Sequence, residues 1–132
     1  MGPTDPSFAE RERHVEALFA ALRRADVGAA VALFADDAHI MRIRYAGGHV
    51  SGGHMVATGR TDIARSLREF VRRAPVIRAA AFSWEGEGLL VRVECSLDGP
   101  HGGREQWSRL VGYDFAGGLI SHVRETTHDD EE

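Results

Sequence analysis

The chain has no lysine and no asparagine, and all 16 of its basic residues are arginine. Schiff-base chemistry on a lysine is therefore excluded, as is any site built on an asparagine amide. With one cysteine, Cys95, no internal disulfide can form, and a cytoplasmic address is the default expectation. No apolar run reaches the ~18 residues of a membrane-spanning helix. The opening Met1–Ser7 lacks the basic and apolar regions of a signal peptide.

A net excess of one charge sign is also missing from the body of the chain. The formal charge of −4 comes from Asp129, Asp130, Glu131 and Glu132; without them the body holds 16 acids against its 16 arginines. A neutral body carries no electrostatic footprint for nucleic acid. The acidic tail is expected to be solvated, with residues 1–7 and 128–132 flexible around a single domain spanning 1–132. The Arg-, Ala- and Gly-rich bias is that of a high-GC bacterial genome.

What is present divides by period. Ser7 and Glu10 read as a capping box, and Val15, Leu18, Phe19 and Leu22 give residues 8–24 one apolar helical face. Asp26 is expected to cap a short second helix carrying Val27, Val31, Leu33 and Phe34, closed by Asp36-Asp37. Residues 38–45 and 54–59 read as strands joined by the glycine-rich stretch 46–53. Thr61 is expected to cap a third helix, with Ile63, Leu67, Phe70 and Val71 inward and Pro75 as its stop. The period then becomes two. Strand-like runs occupy 76–84, 89–97, 104–115 and 119–127, separated by short glycine-containing links that force antiparallel neighbours. Helices first and a meander afterwards predict an α+β domain with its helices on one face of the sheet.

This order resembles the cone-shaped nuclear-transport-factor-like superfamily, which includes ketosteroid isomerase, limonene epoxide hydrolase and the SnoaL-like polyketide cyclases. The resemblance rests on Ala20–Asp37, on Thr58-Gly59-Arg60-Thr61-Asp62-Ile63 and on Gly117-Gly118-Leu119-Ile120. It implies a cystatin-like cone: three helices on a strongly curved, mostly antiparallel sheet around a pocket. It also implies a homodimer, which would cover a second apolar sheet face. The scaffold hosts enzymes and binding modules alike.

Arg92 and Glu94 share one face of the 89–97 strand by alternation, and Glu125 lies on the last strand of the same sheet. The set is similar to that of limonene epoxide hydrolase, which has an Arg-x-Asp pair on one strand and a second Asp on the final strand. The resemblance implies Glu94 and Glu125 as acid and base, with Arg92 bridging them and splitting their pKa values. Both acids are Glu here, and the family's water-holding Tyr and Asn fall at Ile40 and Arg42. The competing reading is a cross-strand charge ladder on a solvated face, which holds if Leu89, Val91 and Val93 face the core. Ketosteroid isomerase's tyrosine and aspartate fall at Leu18 and Arg42, so its own machinery is missing.

Both templates put Arg42 inside the cone, as an anion binder or as a neutralising partner of Glu94 or Glu125. Ile40, Leu90, Ser108 and Leu110 are expected in the substrate-binding wall, with His54 at the mouth. The histidines show no metal-ligand spacing, so neither metal nor cofactor is expected. Trp84, Trp107, Tyr113 and Phe115 read as sheet or interface aromatics, and Cys95 as a small buried hydrophobe. The expectation is a cofactor-independent enzyme for acid–base chemistry on a hydrophobic polyketide- or terpenoid-like molecule, in bacterial secondary metabolism. Cyclisation, isomerisation, dehydration and epoxide opening all suit it. The alternative is a non-catalytic binding or dimerisation module of the same fold.

Overall fold

The apolar spacing of Val15, Leu18, Phe19 and Leu22 produces helix α1 (Pro6–Arg23) in the computed structural model, which describes residues 6–86 and 88–128. All four side chains are buried. The capping box and the flexible ends expected from the sequence fall largely outside the described residues, Ser7's side chain included. Helix α2 (Val27–Val31) starts at Asp26, whose Oδ1 accepts the Ala29 N–H at 3.0 Å. Phe34 does not belong to it. That residue opens β1 (Phe34–Ala46), and Asp36 and Asp37 lie in the strand rather than closing the helix. Tertiary pairing overrides the local signal: the Leu33 carbonyl accepts the Ile120 N–H at 3.0 Å, and Asp36 meets Arg60 at 2.9 Å.

The link expected over residues 46–53 contracts to Gly47-Gly48, with φ of +59° and +80°. Two left-handed residues in succession give the primed turn whose twist matches a hairpin. Strand β2 therefore runs His49–Thr58, and Gly53 lies inside it, opposite Ile43. A Cβ at Gly53 would come within 3.0 Å of the Arg42 carbonyl oxygen, which explains a glycine within a strand. Helix α3 (Gly59–Val71) begins two residues before Thr61. Thr58 is its N-cap, and the Asp62 carboxylate accepts the Thr58 N–H at 2.9 Å.

Strands β3 (Val76–Glu85), β4 (Gly88–Asp98), β5 (Arg104–Ala116) and β6 (Leu119–His128) complete one six-stranded sheet in the order β2-β1-β6-β5-β4-β3. Every pairing is antiparallel except β1 with β6. The helices cover one face. Against them Leu89, Val91, Val93, Cys95 and Leu97 of β4, with Val111, Tyr113 and Val123, are all at most 5 % exposed. Burying five apolar side chains at ~25 cal/mol per Å² decides which face of β4 turns inward. No helix among the described residues is long and apolar enough to cross a membrane.

The parallel β1–β6 seam carries His39 beside His122, ring centroids 4.2 Å apart. His122 Nδ1 lies 3.6 Å from Asp114, which also holds Arg124; His122 Nε2 is sealed with no hydrogen-bond partner among the described residues. Burial pushes the His122 pKa below its ordinary 6.5, helped by His39 and Arg124 and opposed by Asp114. The unfolded chain then binds more protons here than the native one, so stability falls as pH drops below about 6.5. Thermal unfolding is expected to show a lower Tm at pH 5 than at pH 7, with a smaller drop in His122→Phe. An equal drop in both proteins would show that another group sets the acid limit.

Candidate active site

Curvature leaves the helix-facing side of the sheet incompletely filled. A cavity of about 400 Å³ remains, with Leu18, Phe19 and Leu22 of α1, Leu67 and Phe70 of α3, and Val93, Val111 and Val123 of the sheet among its walls. Ser66, Glu69, Arg72 and Arg73 border it on and just beyond α3, and the polar pair on its sheet side is Arg42 with Glu125. Arg42 and Glu125 are directly opposed in the β1–β6 register, so both side chains leave the sheet on the same side and meet in the cavity. Arg42 donates from Nε at 3.2 Å and from Nη2 at 2.8 Å. Both bonds end on one oxygen, Glu125 Oε1. The other, Oε2, has no partner among the described residues and is not sealed.

Arg92 and Glu94 are elsewhere. They project from the convex face, where Arg92 donates to Ser108 Oγ at 3.5 Å and Glu94 pairs with Arg78 of β3. The convergence of Arg92, Glu94 and Glu125 expected from the sequence does not occur. Leu89, Val91 and Val93 point inward, and alternation sends the residues between them out. Leu90, Ser108 and Leu110 go with them: Ser108 lies opposite Glu94 and Leu110 opposite Arg92, on the same outer surface. His54 lies opposite Arg42 on β2 but is exposed and outside the cavity lining. Of the expected site residues, the cavity brings together Ile40, Arg42 and Glu125.

Tyr113 and Trp107, read from the sequence as ordinary sheet aromatics, line the cavity as well. Register gave the available signal. Trp107 pairs with Cys95, Val111 with Val91 and Tyr113 with Leu89, so this set of β5 positions shares the apolar face of β4. Burial, and secondarily the Glu125 charge, push the Tyr113 pKa well above its ordinary 10. It stays a phenol, a hydrogen-bond donor at any physiological pH. Burial likewise pushes the Cys95 thiol up to about 11 despite Arg109, Arg104 and Arg73 nearby, which makes it a poor nucleophile. Among the described residues no group of three His, Cys, Asp or Glu side chains is arranged to hold a metal ion.

Residues 15–123 match the profile of the SnoaL-like domain. No curated protein sequence is similar. Solved structures share the fold at low identity. One is SalBIII, an epoxide hydrolase/cyclase-like enzyme of pyran ring formation in polyether salinomycin, at 18 % identity and TM-score 0.72 over 89 % of this chain and 90 % of that one. Another is a Mycobacterium tuberculosis epoxide hydrolase similar to limonene epoxide hydrolase, at 22 % identity and TM-score 0.66 over 89 % and 82 %. A third, also from Mycobacterium tuberculosis, was crystallised with estradiol-17beta-hemisuccinate; it is 14 % identical, with TM-score 0.72 over 88 % and 92 %. At these identities the likeness establishes the cystatin-like α+β fold and nothing finer.

Proposed function

The chain belongs to the SnoaL-like family, and from that premise we propose that it is a cofactor-independent enzyme whose Glu125 moves a proton on a hydrophobic small molecule held in the cavity. The observation that carries this reading is the asymmetry of the Arg42–Glu125 pair. The guanidinium fixes one carboxylate oxygen through two hydrogen bonds and leaves Oε2 unpartnered among the described residues, on a side chain that lines the cavity. A carboxylate oriented in this way, in a largely apolar hollow, meets the geometric requirement for a general base.

Glu69 of α3 also borders the cavity but is 67 % exposed and paired with Arg72, and one inward carboxylate, Glu125, favours some chemistries over others. Two-carboxylate epoxide opening would require Glu94, which points outward. Proton abstraction beside a carbonyl requires one base. Glu125 Oε2 takes the proton, the C–H electron pair becomes the C=C of an enolate, and the negative charge passes to the carbonyl oxygen. The carboxylic acid then delivers its proton to another carbon (isomerisation), or trades it with solvent and delivers the solvent-derived one to the same carbon (exchange). If the enolate instead attacks a carbonyl carbon in the same molecule, a ring closes and the proton goes to the new alkoxide. A steroid ester bound by one protein of the same fold and polyether pyran-ring formation by another support a hydrophobic, oxygenated substrate.

The test is a panel of enolisable aromatic ketones in deuterated buffer, with loss of the α-proton signal followed by NMR. Exchange above the buffer rate is the expected result. Binding without any exchange across the panel would favour the non-catalytic binding module instead. The expected homodimer is part of the same proposal, and light scattering reads it directly.

A further inference from the structure

Glu125 and Arg42 do not account for all the polar chemistry of the cavity. Tyr113 is 4 % exposed, lines the hollow, and has no hydrogen-bond partner for its hydroxyl among the described residues. A buried hydroxyl without a partner is destabilising. The position is not sealed either, because the one sealed and unpartnered side-chain polar atom among the described residues is His122 Nε2. The Tyr113 hydroxyl therefore opens onto the cavity. Its place relative to the base is fixed by register. Val111 pairs with Glu125 and Tyr113 with Val123, so Tyr113 and Glu125 are diagonal neighbours on adjacent strands and the same face. Diagonal positions lie roughly 7–8 Å apart, within reach of an aromatic side chain.

We infer that Tyr113 is a second substrate-contacting residue, donating its hydroxyl proton in a hydrogen bond to an acceptor oxygen of the ligand beside the carbon that Glu125 deprotonates. The inference rests on the proton-transfer reading of the same cavity and narrows its substrate class. The ligand must present a carbonyl or comparable acceptor oxygen at its deep end, next to an apolar ring or chain that fills the walls around Phe19, Phe34 and Val123. A ligand whose deep end is an ammonium or another obligate donor would leave the phenol unpaired. The ordinary reading of a buried tyrosine, a hydroxyl tied to a backbone carbonyl as structural glue, does not apply, since no such bond exists here. Donation to the oxygen also strengthens as negative charge builds on it, which is when a preorganised donor lowers a barrier most.

The experiment compares 1-tetralone with tetralin, two flat probes that differ in one carbonyl oxygen. Dissociation constants are read by tryptophan fluorescence, Trp107 being in the cavity wall. Wild type is expected to prefer the ketone. Tyr113→Phe keeps the ring and the packing, and is expected to weaken tetralone about fivefold to tenfold while leaving tetralin within about twofold, the signature of one lost hydrogen bond. Equal weakening of both probes, or of neither, would overturn the role of Tyr113 while leaving the cavity's function standing. Binding of neither probe to wild type would remove both. Selective loss of tetralone affinity in a protein that shows no exchange would keep Tyr113 as the ligand's hydrogen-bond donor and discard Glu125 as a base.

Discussion

Glu125→Gln is expected to lower α-proton exchange by roughly 10²- to 10⁴-fold, the usual contribution of a positioned general base. The substitution keeps shape and replaces the open oxygen by either an amide oxygen or an N–H, neither of which is a useful base. Arg42 keeps an acceptor, so the fold is expected to survive, with far-UV circular dichroism unchanged. Glu94→Gln is the matched control. Its carboxylate is on the convex face, paired with Arg78 and 40 % exposed, and exposed pairs of this kind contribute little, so the rate is expected to stay within about twofold of wild type. The pair of variants discriminates because both remove one glutamate from the sheet, and only one of the two is in the hollow. A large loss in Glu94→Gln with a small one in Glu125→Gln would reverse the assignment of faces and discard the mechanism.

The face of β4 shows where the sequence was readable and where a resemblance misled. Period two along residues 89–97 correctly separates Leu89, Val91, Val93, Cys95 and Leu97 from Leu90, Arg92, Glu94 and Ser96. It does not say which set enters the cone. The likeness to an Arg-x-Asp motif chose the charged set; burial chose the apolar one. A one-residue offset between a motif and its supposed counterpart is enough to turn every side chain through the sheet. The same strand also explains why Tyr113 was missed: its placement needs the β4–β5 register, which becomes visible only when the apolar face of β4 is taken as inner.

Other features were legible for local reasons. Gly47-Gly48 and Gly117-Gly118 marked turns, Asp26 marked a helix start, and the helical spacing in α1 marked its buried stripe. The β1–β6 pairing was not legible, because strands 83 residues apart at Arg42 and Glu125 share no turn that would announce their contact. Arg42 reached the cavity by resemblance of position alone, with Glu94 or Glu125 as its expected partner; choosing Glu125 between them required the parallel seam.

The face assignment can be tested without a substrate. Leu89→Ala is expected to destabilise the protein by about 2–5 kcal/mol, the range for truncating a fully buried leucine. Leu89 is 1 % exposed and outside the cavity lining, so the methylenes removed leave a new void rather than widening an existing one. Arg92→Ala, three residues along the same strand, is expected to stay within about 0.5 kcal/mol, since its main contact is one long bond to Ser108 at 3.5 Å on an exposed surface. Chemical denaturation with a common m-value measures both. The contrast also bears on function, because the register that buries Leu89 is the one that puts Tyr113 opposite it, on the cavity side of β5. A small effect at Leu89 and a large one at Arg92 would mean that β4 is turned over. Tyr113 would then lose its place facing the ligand, and the proton-transfer site would have to be rebuilt around Glu94.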